Sequence, residues 1–395
     1  MRRLHVCLTT FPRLLRGRAL AAAVLLSVMA LALAACGGAS SKSIKIVVEG
    51  PMSGPQAATG TDMRNAAQLA VDQANASGGV LGRKIELVSG DDKADPAAGE
   101  KVAQQAVKAG DFAVIGPYNS SVGIANLKTY VNGGVIPIHL TSDAATDGLG
   151  YTVQPKNYQV APVEAKAITG YLKARRVAIV YDTSTYTVGI AKQVRAALTA
   201  AGVKVVLYQS LTPKSLDAAA LVGRIKAAKP DLFYSSTYFP EGGKIAKAAA
   251  AGGLKATCFM GLANQDADFV KTAGLAAARR CYASGVPSAE QFAGARVYVS
   301  DYRKKFGTAP GTWGTFTYDS VRLLFASLRK AGAWDTKRVE SELSKTTGYK
   351  GITGTITINP KTGDRRSVPV VILRIDAKGQ YLVDPKWASF AGFSP

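Results

Sequence analysis

Histidine and cysteine are scarce in this chain, and their scarcity excludes several kinds of site. The 395 residues contain two histidines, His5 and His139, and four cysteines. No two cysteines form a Cys-x-x-Cys motif, and no cluster of histidines occurs. Because a structural zinc ion needs about four such ligands at close spacing, we predict no metal site, and we expect no cofactor.

The motif of a serine hydrolase is also absent. The sequence contains no Gly-x-Ser-x-Gly turn, and His139 is the only histidine beyond the first residues. Ser120, the serine best placed to act as a nucleophile, has no evident base within its own motif. An exported hydrolase is therefore a poorly supported alternative, and we predict no catalytic residues.

Acidic residues are outnumbered by 49 Lys and Arg to 27 Asp and Glu, which gives a formal net charge of +22. The basic residues stand singly along predicted helices, with no basic run interleaved with aromatics and no nucleic-acid-binding motif. We interpret this charge as a solvated surface attracted to anionic lipid or envelope polymers. No nucleic-acid partner is expected.

No apolar run reaches the length of a bilayer span. Residues 19–35 form an apolar run of 17 residues, against the about 20 that a spanning helix needs, and five arginines without an acid precede it. The sequence Leu33-Ala34-Ala35-Cys36 resembles a bacterial lipobox. We predict a lipoprotein signal peptide at 1–35, a lipid on Cys36 and a tether at 36–43, with a plain secretory signal as the alternative.

Once the signal segment and Cys36 are set aside, Cys258 and Cys281 remain. Each begins a predicted strand, so the two could lie side by side in a sheet. In an oxidising compartment they would form a disulfide whose loop contributes roughly 3 kcal/mol of stability. Two buried free thiols are the alternative.

Strands alternate with helices along the rest of the chain, which predicts an α/β fold. Residues 44–60 set the pattern, as an apolar strand breaks into a Gly-Pro-Ser turn and leads to an amphipathic helix near Thr61. A second run of the same kind begins near Val160. We therefore predict two Rossmann-like lobes with parallel sheets and a ligand cleft between them.

Hydroxyl side chains follow two successive strands of the first lobe. Ser120 and Ser121 follow the third strand, and Thr141 and Ser142 follow the fourth. Parallel strands bring such loops together at one edge of a sheet, where hydroxyls and helix-start amides suit a carboxylate or carbonyl oxygen. Ordinary helix capping by the same side chains is the alternative.

The last part of the chain predicts two long helices, at 289–306 and 315–331, and a hairpin at 354–364 with Asn359-Pro360 and Thr362-Gly363 at its turn. We interpret Trp313 and Tyr318 as core or loop anchors, with a place at the cleft as the alternative.

An ordered set of short motifs resembles the periplasmic leucine/isoleucine/valine-binding proteins. The motifs are Ile46-Val-Val-Glu-Gly-Pro-Met-Ser-Gly, Asn75-Ala-Ser-Gly-Gly-Val-Leu-Gly, Asp91-Asp92 with Asp95-Pro96, Ile115-Gly116, Val180-Tyr-Asp and Tyr238-Phe-Pro-Glu-Gly-Gly. The resemblance covers residues 44–386. It implies a type I periplasmic-binding fold, with a first lobe of 44–160 plus 288–350, a second of 161–287 plus 351–395, and three crossover segments.

The resemblance also implies positions for the ligand-binding residues. A cleft serine falls on Ser120, or on Ser121 if the register slips, and Ser53 would line the first-lobe wall. The groups that hold the ligand's carboxylate and amine fall on Thr141, Ser142 and Asp143. The matching aromatic residues of the second lobe are Tyr186 and Tyr238.

One position departs from the resemblance. The acid that pairs with the ligand ammonium in these proteins is replaced by Ala263. A buried ammonium without a counter-charge is costly, so the site must supply another acid or take another ligand. Asp143 and Asp266 are candidates for that acid, whereas Asn264 would suit a neutral group; a surface helix cap is the alternative for Asp266.

What the resemblance implies is an extracytoplasmic, membrane-anchored lipoprotein that captures a branched-chain or related amino acid and delivers it to an ABC permease. The protein is expected to act as a monomer. Amides, urea-like compounds and organic acids are alternative ligands. Ligand sensing without transport is an alternative function, because closure of two lobes serves both.

Overall fold

Two β-sheets, one parallel and one mixed, carry the fold in the computed structural model, which describes residues 43–393. The predicted signal peptide and the predicted lipidation site, Cys36, lie outside this range. Within it no helix has the length and apolar character needed to cross a membrane. The alternation of strands and helices predicted from the sequence is observed over residues 44–285, after which three helices and then four strands follow one another.

The first sheet contains four strands in the order β2-β1-β3-β4, all parallel. They are β1 (Ile44–Gly50), β2 (Ile85–Asp91), β3 (Ala113–Ile115) and β4 (Ile136–Ile138). Ile46 and Val48 of β1 are fully buried, as the apolar character of that strand predicts.

Seven strands in the order β13-β12-β9-β8-β7-β5-β6 form the second sheet, and a separate pair, β10 and β11, forms a hairpin. The bounds are β5 (Arg176–Asp182), β6 (Lys204–Leu211), β7 (Leu232–Ser236), β8 (Thr257–Met260), β9 (Cys281–Gly285), β10 (Tyr349–Gly351), β11 (Gly354–Ile356), β12 (Val371–Ile375) and β13 (Tyr381–Val383). Strands β5 to β9 run parallel, while β12 and β13 add antiparallel strands at one edge.

Helices cover the faces of both sheets. They are α1 (Ala57–Ala76), α2 (Pro96–Ala109), α3 (Ser120–Asn132), α4 (Asn157–Lys166), α5 (Thr185–Ala200), α6 (Ala218–Ala227), α7 (Phe239–Ala251), α8 (Ala267–Ala273), α9 (Leu275–Ala278), α10 (Arg296–Phe306), α11 (Thr312–Ala331), α12 (Thr336–Ser344) and α13 (Pro385–Ala391).

Helix α11 completes the first lobe although it lies far from β1 to β4 in sequence. It packs on α1, where the Tyr318 hydroxyl donates to Gln73 Oε1 over 2.6 Å. The half-buried carboxylate of Asp62 accepts the N–H groups of Gly311 and Gly314 at the start of α11. The first lobe therefore depends on two distant parts of the chain.

One predicted element near the carboxyl end is wrong in detail. The α-helix expected at 289–306 begins only at Arg296, because two short 3-10 turns occupy Ala289–Gln291 and Ala293–Ala295. A Cβ on Gly294 would approach the backbone of Ile352 to 3.3 Å, so the chain here is shaped by a crossing segment.

The hairpin turn predicted at Asn359-Pro360 is present. Ile358 pairs antiparallel with Arg365, and the Asn359 N–H donates to the Asp364 carbonyl over 2.8 Å. A second hairpin, not predicted from the sequence, pairs β10 with β11 through a turn at 352–353.

Buried charged groups fix the segments that cross between the lobes. Lys156, at the start of α4, lies 2.8 Å from both the Asp143 carbonyl oxygen and Asp147 Oδ1. The buried guanidinium of Arg365 donates to the carbonyls of Val153 and Thr353. Since a buried charge is stable only when it is paired or bonded, these contacts hold the crossovers in one arrangement.

A further carboxylate ties the third crossing to the first lobe. Asp319 of α11 accepts the N–H groups of Ile352 and Thr353 at 2.8 and 2.9 Å. Together with Arg365, this attaches residues 352–365 to elements assigned to the first lobe. The lobe boundaries at 160, 287 and 350 stay predictions, and the contacts favour a later position for the last one.

A disulfide joins Cys258 of β8 to Cys281 of β9, at directly paired positions of the second sheet. Its loop has a sequence separation of 23 residues. Closing a loop of this length in the unfolded chain removes conformational entropy, which stabilises the folded state.

Replacing both cysteines by alanine should lower the free energy of unfolding by roughly 3 kcal/mol, because the unfolded chain regains that entropy. The measurement is urea unfolding of the oxidised protein and of the Cys258→Ala/Cys281→Ala variant, followed by circular dichroism. Adding a reductant should destabilise the native protein by a similar amount and leave the variant unchanged. Equal stability of the oxidised native protein and the variant would contradict the prediction.

Candidate functional site

A small cavity, here called the cleft cavity, lies between the two lobes. Its lining residues are Tyr118, Ser120, Leu140, Ser142, Gln154, Tyr186, Tyr238, Leu262, Ala263 and Trp313. Its free volume is about 10 Å³, which is room for about one water molecule. The two walls therefore lie close together in this structure, and a ligand the size of an amino acid would need them to separate.

Most of the lining follows the carboxyl ends of parallel strands. In the first lobe these are β3 and β4, and in the second lobe they are β5, β7 and β8. This is the edge where open α/β sheets bind their ligands, because strand ends leave backbone groups unpaired there. Trp313 is added by the first turn of α11, and Gln154 by the segment before α4.

Backbone N–H groups converge on Ser120 in the first-lobe wall. Ser120 begins α3, and its Oγ accepts the N–H groups of Ser142 and Asp143, each over 3.2 Å. The Ser142 hydroxyl donates to the Pro155 carbonyl over 2.9 Å and accepts from Gln154 Nε2 over 2.9 Å. The wall thus presents amides and hydroxyls that could bind one oxyanion or carbonyl oxygen.

Aromatic rings form the rest of the lining and link the two lobes. Tyr118 lies 6.1 Å from Tyr238 and 5.3 Å from Trp313, measured between ring centroids. Tyr186 lies 5.7 Å from Tyr238. Such rings offer a large apolar surface at low conformational cost, which suits an apolar ligand body.

The Tyr186 hydroxyl is a polar group within this aromatic wall. It is buried and has no hydrogen-bond partner of good geometry in residues 43–393, although the Ala263 backbone lies close to it. Burial raises the pKa of Tyr186 well above its usual range, so the hydroxyl stays protonated. It is free to bond a polar group of a ligand.

No side chain that lines the cleft cavity is acidic or basic. Asp143 accepts the Ala145 N–H over 2.9 Å and caps a 3-10 turn. Asp266 accepts the Asp268 N–H and caps α8, and the Thr59 hydroxyl donates to its other oxygen over 3.3 Å. Burial raises the pKa of Asp266 to about 6, but its carboxylate faces a separate groove.

The structure brings four of the predicted site residues together and places the others outside the lining. Ser120, Ser142, Tyr186 and Tyr238 share the cleft cavity. Outside the lining are Ser53, Ser121, Thr141, Asp143, Asn264 and Asp266. A direct ligand contact by any of these residues stays a prediction.

Three of the outlying residues have protein partners instead. Ser53 donates from its hydroxyl to Asp91 over 2.6 Å. Thr141 Oγ1 lies 2.8 Å from His139 Nδ1. Asn264 donates from Nδ2 to the carbonyls of Thr237 and Gly261. Each of these polar groups is thus bonded to protein groups, Ser53 and Asn264 to the ends of neighbouring strands and Thr141 within its own loop.

Five lining residues were not assigned to the site from the sequence: Tyr118, Leu140, Gln154, Leu262 and Trp313. Tyr118 stands two residues before Ser120 and could have been found as an aromatic in the same loop. The sequence predicts Trp313 as an anchor, with the cleft as the alternative, and the structure places it in the cavity lining. Gln154 carries no local signal, because it reaches the cavity through the fold of the first crossover.

His139 does not line the cleft cavity, and the partners of the Ser120 hydroxyl are the two backbone amides. Burial, together with the charge of Lys156, lowers the pKa of His139 well below its usual range. The geometry shows no Ser-His pair here of the kind that activates a nucleophile. Among residues 43–393 no three His, Cys, Asp or Glu side chains are grouped so as to hold a metal ion.

Comparison with known proteins places this geometry in context. Residues 43–380 match a family model described as "Periplasmic binding protein". The Leu/Ile/Val-binding protein homolog 2 of Brucella abortus is 31% identical over 346 residues, which cover 86% of this chain and 92% of that protein. Leu/Ile/Val-binding protein BraC3 of Rhizobium johnstonii is 37% identical over 209 residues, 52% of this chain and 57% of that protein.

A solved structure is similar over nearly the whole described chain. It is the branched-chain amino acid transporter substrate-binding protein LivJ of Streptococcus pneumoniae, in complex with isoleucine. The TM-score is 0.79 at 26% identity, and the match covers 87% of this chain and 99% of LivJ. The prediction of a two-lobed α/β fold of this type is confirmed.

Binding in the cleft cavity should change the emission of Trp313, the one tryptophan among its lining residues. We expect L-leucine to shift the fluorescence of the native protein, because a ligand beside the buried indole changes its surroundings. The shift should disappear in Trp313→Phe. It should persist in Trp387→Phe, since Trp387 packs instead on Tyr171, 5.8 Å between ring centroids. A leucine-dependent signal that survives in Trp313→Phe would place the ligand elsewhere.

Proposed function

The chain belongs to the periplasmic binding protein family, and on that premise we propose that it is an extracytoplasmic receptor that binds a small ligand between its lobes and delivers it to an ABC importer. The observation that carries the proposal is the convergence of the Ser142 and Asp143 amides on Ser120, at one end of an aromatic cavity. This arrangement is built to bind, because each of its polar groups can orient a ligand while the rings bury it.

The ligand we propose is a branched-chain or related amino acid. Its carboxylate would lie at Ser120 and Ser142, where hydroxyls and helix-start amides favour an anion. Its apolar side chain would pack against the rings of Tyr118, Tyr238 and Trp313. The relatives named for Leu/Ile/Val binding and the isoleucine complex of LivJ support this assignment.

A second candidate ligand is an amide, a urea-like compound or a small organic acid. The observation that favours it is the lining without any carboxylate, since Ala263 stands where an ammonium would need an acid. An organic acid would use the same amides and rings but would leave the Tyr186 side of the cavity without a charged group. The amino acid and the organic acid therefore differ in whether the ligand carries an amine that the site must bind.

Binding would be coupled to closure of the two lobes. Contacts that cross the cleft include the bond from Thr59 to Asp266 and the bond from the Thr312 hydroxyl to the Gln265 carbonyl, each 3.3 Å long. The ring contact between Tyr118 and Tyr238 also crosses it. These few weak contacts favour closure only modestly, so a ligand bridging both walls could shift the equilibrium between open and closed forms.

Anchoring, transport and oligomeric state are further parts of the proposal. Cys36, in the lipobox-like sequence, would carry a lipid that holds the receptor at the outer face of the membrane. The receptor would act as a monomer that docks on a permease. Ligand sensing without transport is the alternative, because closure alone can signal occupancy to a membrane partner. Enzyme activity is not part of the proposal, since the named relatives are binding proteins.

Calorimetric titration of the ligand-stripped protein with L-leucine, L-isoleucine and L-valine tests the proposed ligand class. We expect binding, and Ser120→Ala should weaken leucine binding roughly 10- to 100-fold, because a hydrogen bond to a charged group contributes about 1.5–3 kcal/mol. Ser121→Ala is the matched comparison. Its effect should stay within about twofold, since Ser121 lies outside the lining.

The same titration separates the alternatives. Binding of 4-methylpentanoate, which is leucine without its amine, at equal or higher affinity than leucine would favour the organic acid. A larger effect of Ser121→Ala than of Ser120→Ala would reverse the assignment of the cleft serine. If no member of the set produces heat, the amino-acid ligand is wrong, and mass spectrometry of the ligand that copurifies with the protein would identify the true class.

A further inference from the structure

Glu164 is a fully buried carboxylate that lies outside the lining of the cleft cavity. It lies on α4, and Tyr234 donates to its Oε2 over 2.8 Å while Ser284 donates to its Oε1 over 2.5 Å. The backbone N–H of Leu262 also bonds to it. Among residues 43–393 no Lys, Arg or His forms an ion pair with Glu164.

Only one layer of chain separates this carboxylate from the cleft cavity. Leu262 and Ala263 line the cavity, and they follow Gly261 in a short 3-10 turn after β8. A Cβ on Gly261 would lie 3.6 Å from Glu164 Oε1. The carboxylate therefore lies directly behind the wall that Leu262 and Ala263 form.

Tyr186 extends the same wall. Its ring lines the cavity, and after burial the charge of Glu164 is the largest cause that raises the pKa of Tyr186. The charge of Glu164 thus acts on groups in the cavity. It does so across buried protein of low dielectric, where electrostatic interactions are strong. The Tyr186 hydroxyl, which the Ala263 backbone N–H approaches, offers a lone pair to a donor on that side.

We propose that Glu164 is the counter-charge for the ligand's ammonium group, acting across the wall formed by Tyr186, Leu262 and Ala263. The inference rests on the amino-acid ligand proposed above. It explains how a cavity without an acid in its lining could bind an amino acid, because a buried ammonium is stable only near a compensating charge. Glu164 touches no ligand atom in this arrangement and is a positioning residue.

Ligand binding should then release protons. Burial raises the pKa of Glu164 to about 7, against the opposing bonds from Ser284, Tyr234 and Leu262. An ammonium in the cavity favours the ionised form and lowers that pKa again. At pH 7 about half of the empty molecules carry the proton, so binding should release up to about half a proton per ligand.

The groups that face Glu164 allow this assignment. Tyr234 of β7 and Tyr186 of α5 both have a pKa raised well above the usual range, so neither loses a proton near pH 7. Ser284 of β9 and the Leu262 amide do not titrate in this range. Two acids of the cleft region have pKa values raised by burial into this range, Asp92 to about 7 and Asp266 to about 6, and they are the competing sources of a proton.

Calorimetry of L-leucine binding at pH 7 in two buffers of different ionisation enthalpy measures the proton count. We expect release of up to about half a proton by the native protein, and leucine affinity that rises about fivefold from pH 6 to pH 8 as Glu164 ionises, for an interaction of one pKa unit. Glu164→Gln should abolish the release and flatten the pH dependence. Asp92→Asn and Asp266→Asn should retain both.

A ligand without an amine separates charge from structure. Glu164→Gln should weaken leucine binding about tenfold, the effect of losing an interaction equal to one pKa unit, and leave the affinity for 4-methylpentanoate unchanged. Equal weakening of both ligands would mean that Glu164 only supports the wall, and would overturn the proposal.

The native protein alone also decides the matter, should Glu164→Gln fail to fold. Leucine binding without proton release at pH 7 would overturn the role of Glu164 and leave the proposed function intact. Loss of proton release in Asp92→Asn or Asp266→Asn would assign the counter-charge to that acid instead. If leucine does not bind at any pH, the proposed ligand and this inference both fail.

Discussion

The carboxyl ends of the parallel strands are the constraint on which the rest of the structure depends. Strand ends leave backbone N–H groups without partners, and two sheets facing each other concentrate those groups in one cleft. In the empty site Ser120 satisfies two of them, from Ser142 and Asp143. A ligand oxygen could take over this role, so the amides that Ser120 binds also define the polar end of the cavity.

A second constraint is that the segments crossing between the lobes contain buried charge. Lys156, Asp319 and Arg365 are each at least nine-tenths buried, and each is bonded to backbone groups of a crossing segment or of its neighbours. Moving such a group without its partners would be costly. The lobes are therefore expected to rotate as rigid bodies about these segments, with the weaker contacts across the cleft breaking first.

Much of the fold follows from the sequence because its elements are local. Periodicity predicts β1, α1 and the second run of strands, and the motif resemblance places Ser120, Ser142, Tyr186 and Tyr238 in one site. The positions of Gln154 and Trp313 in the site could not be predicted in this way, since each reaches the cavity only through contacts between distant segments. The interrupted helix before Arg296 has the same origin: Gly294 lies against the backbone of Ile352, a contact that local propensity cannot reveal.

The division of the first lobe between distant parts of the chain has a consequence for its synthesis. Strands β5 to β9 and their helices are contiguous, so the second sheet can form most of its core from one unbroken stretch. Helix α1 can pack only after α11 has been made, because Tyr318 and Gly314 of α11 bond to Gln73 and Asp62 of α1. A chain emerging amino end first therefore exposes the apolar face of α1 until most of the protein has been made, and nascent molecules that stop short of α11 are expected to be the form that chaperones must protect.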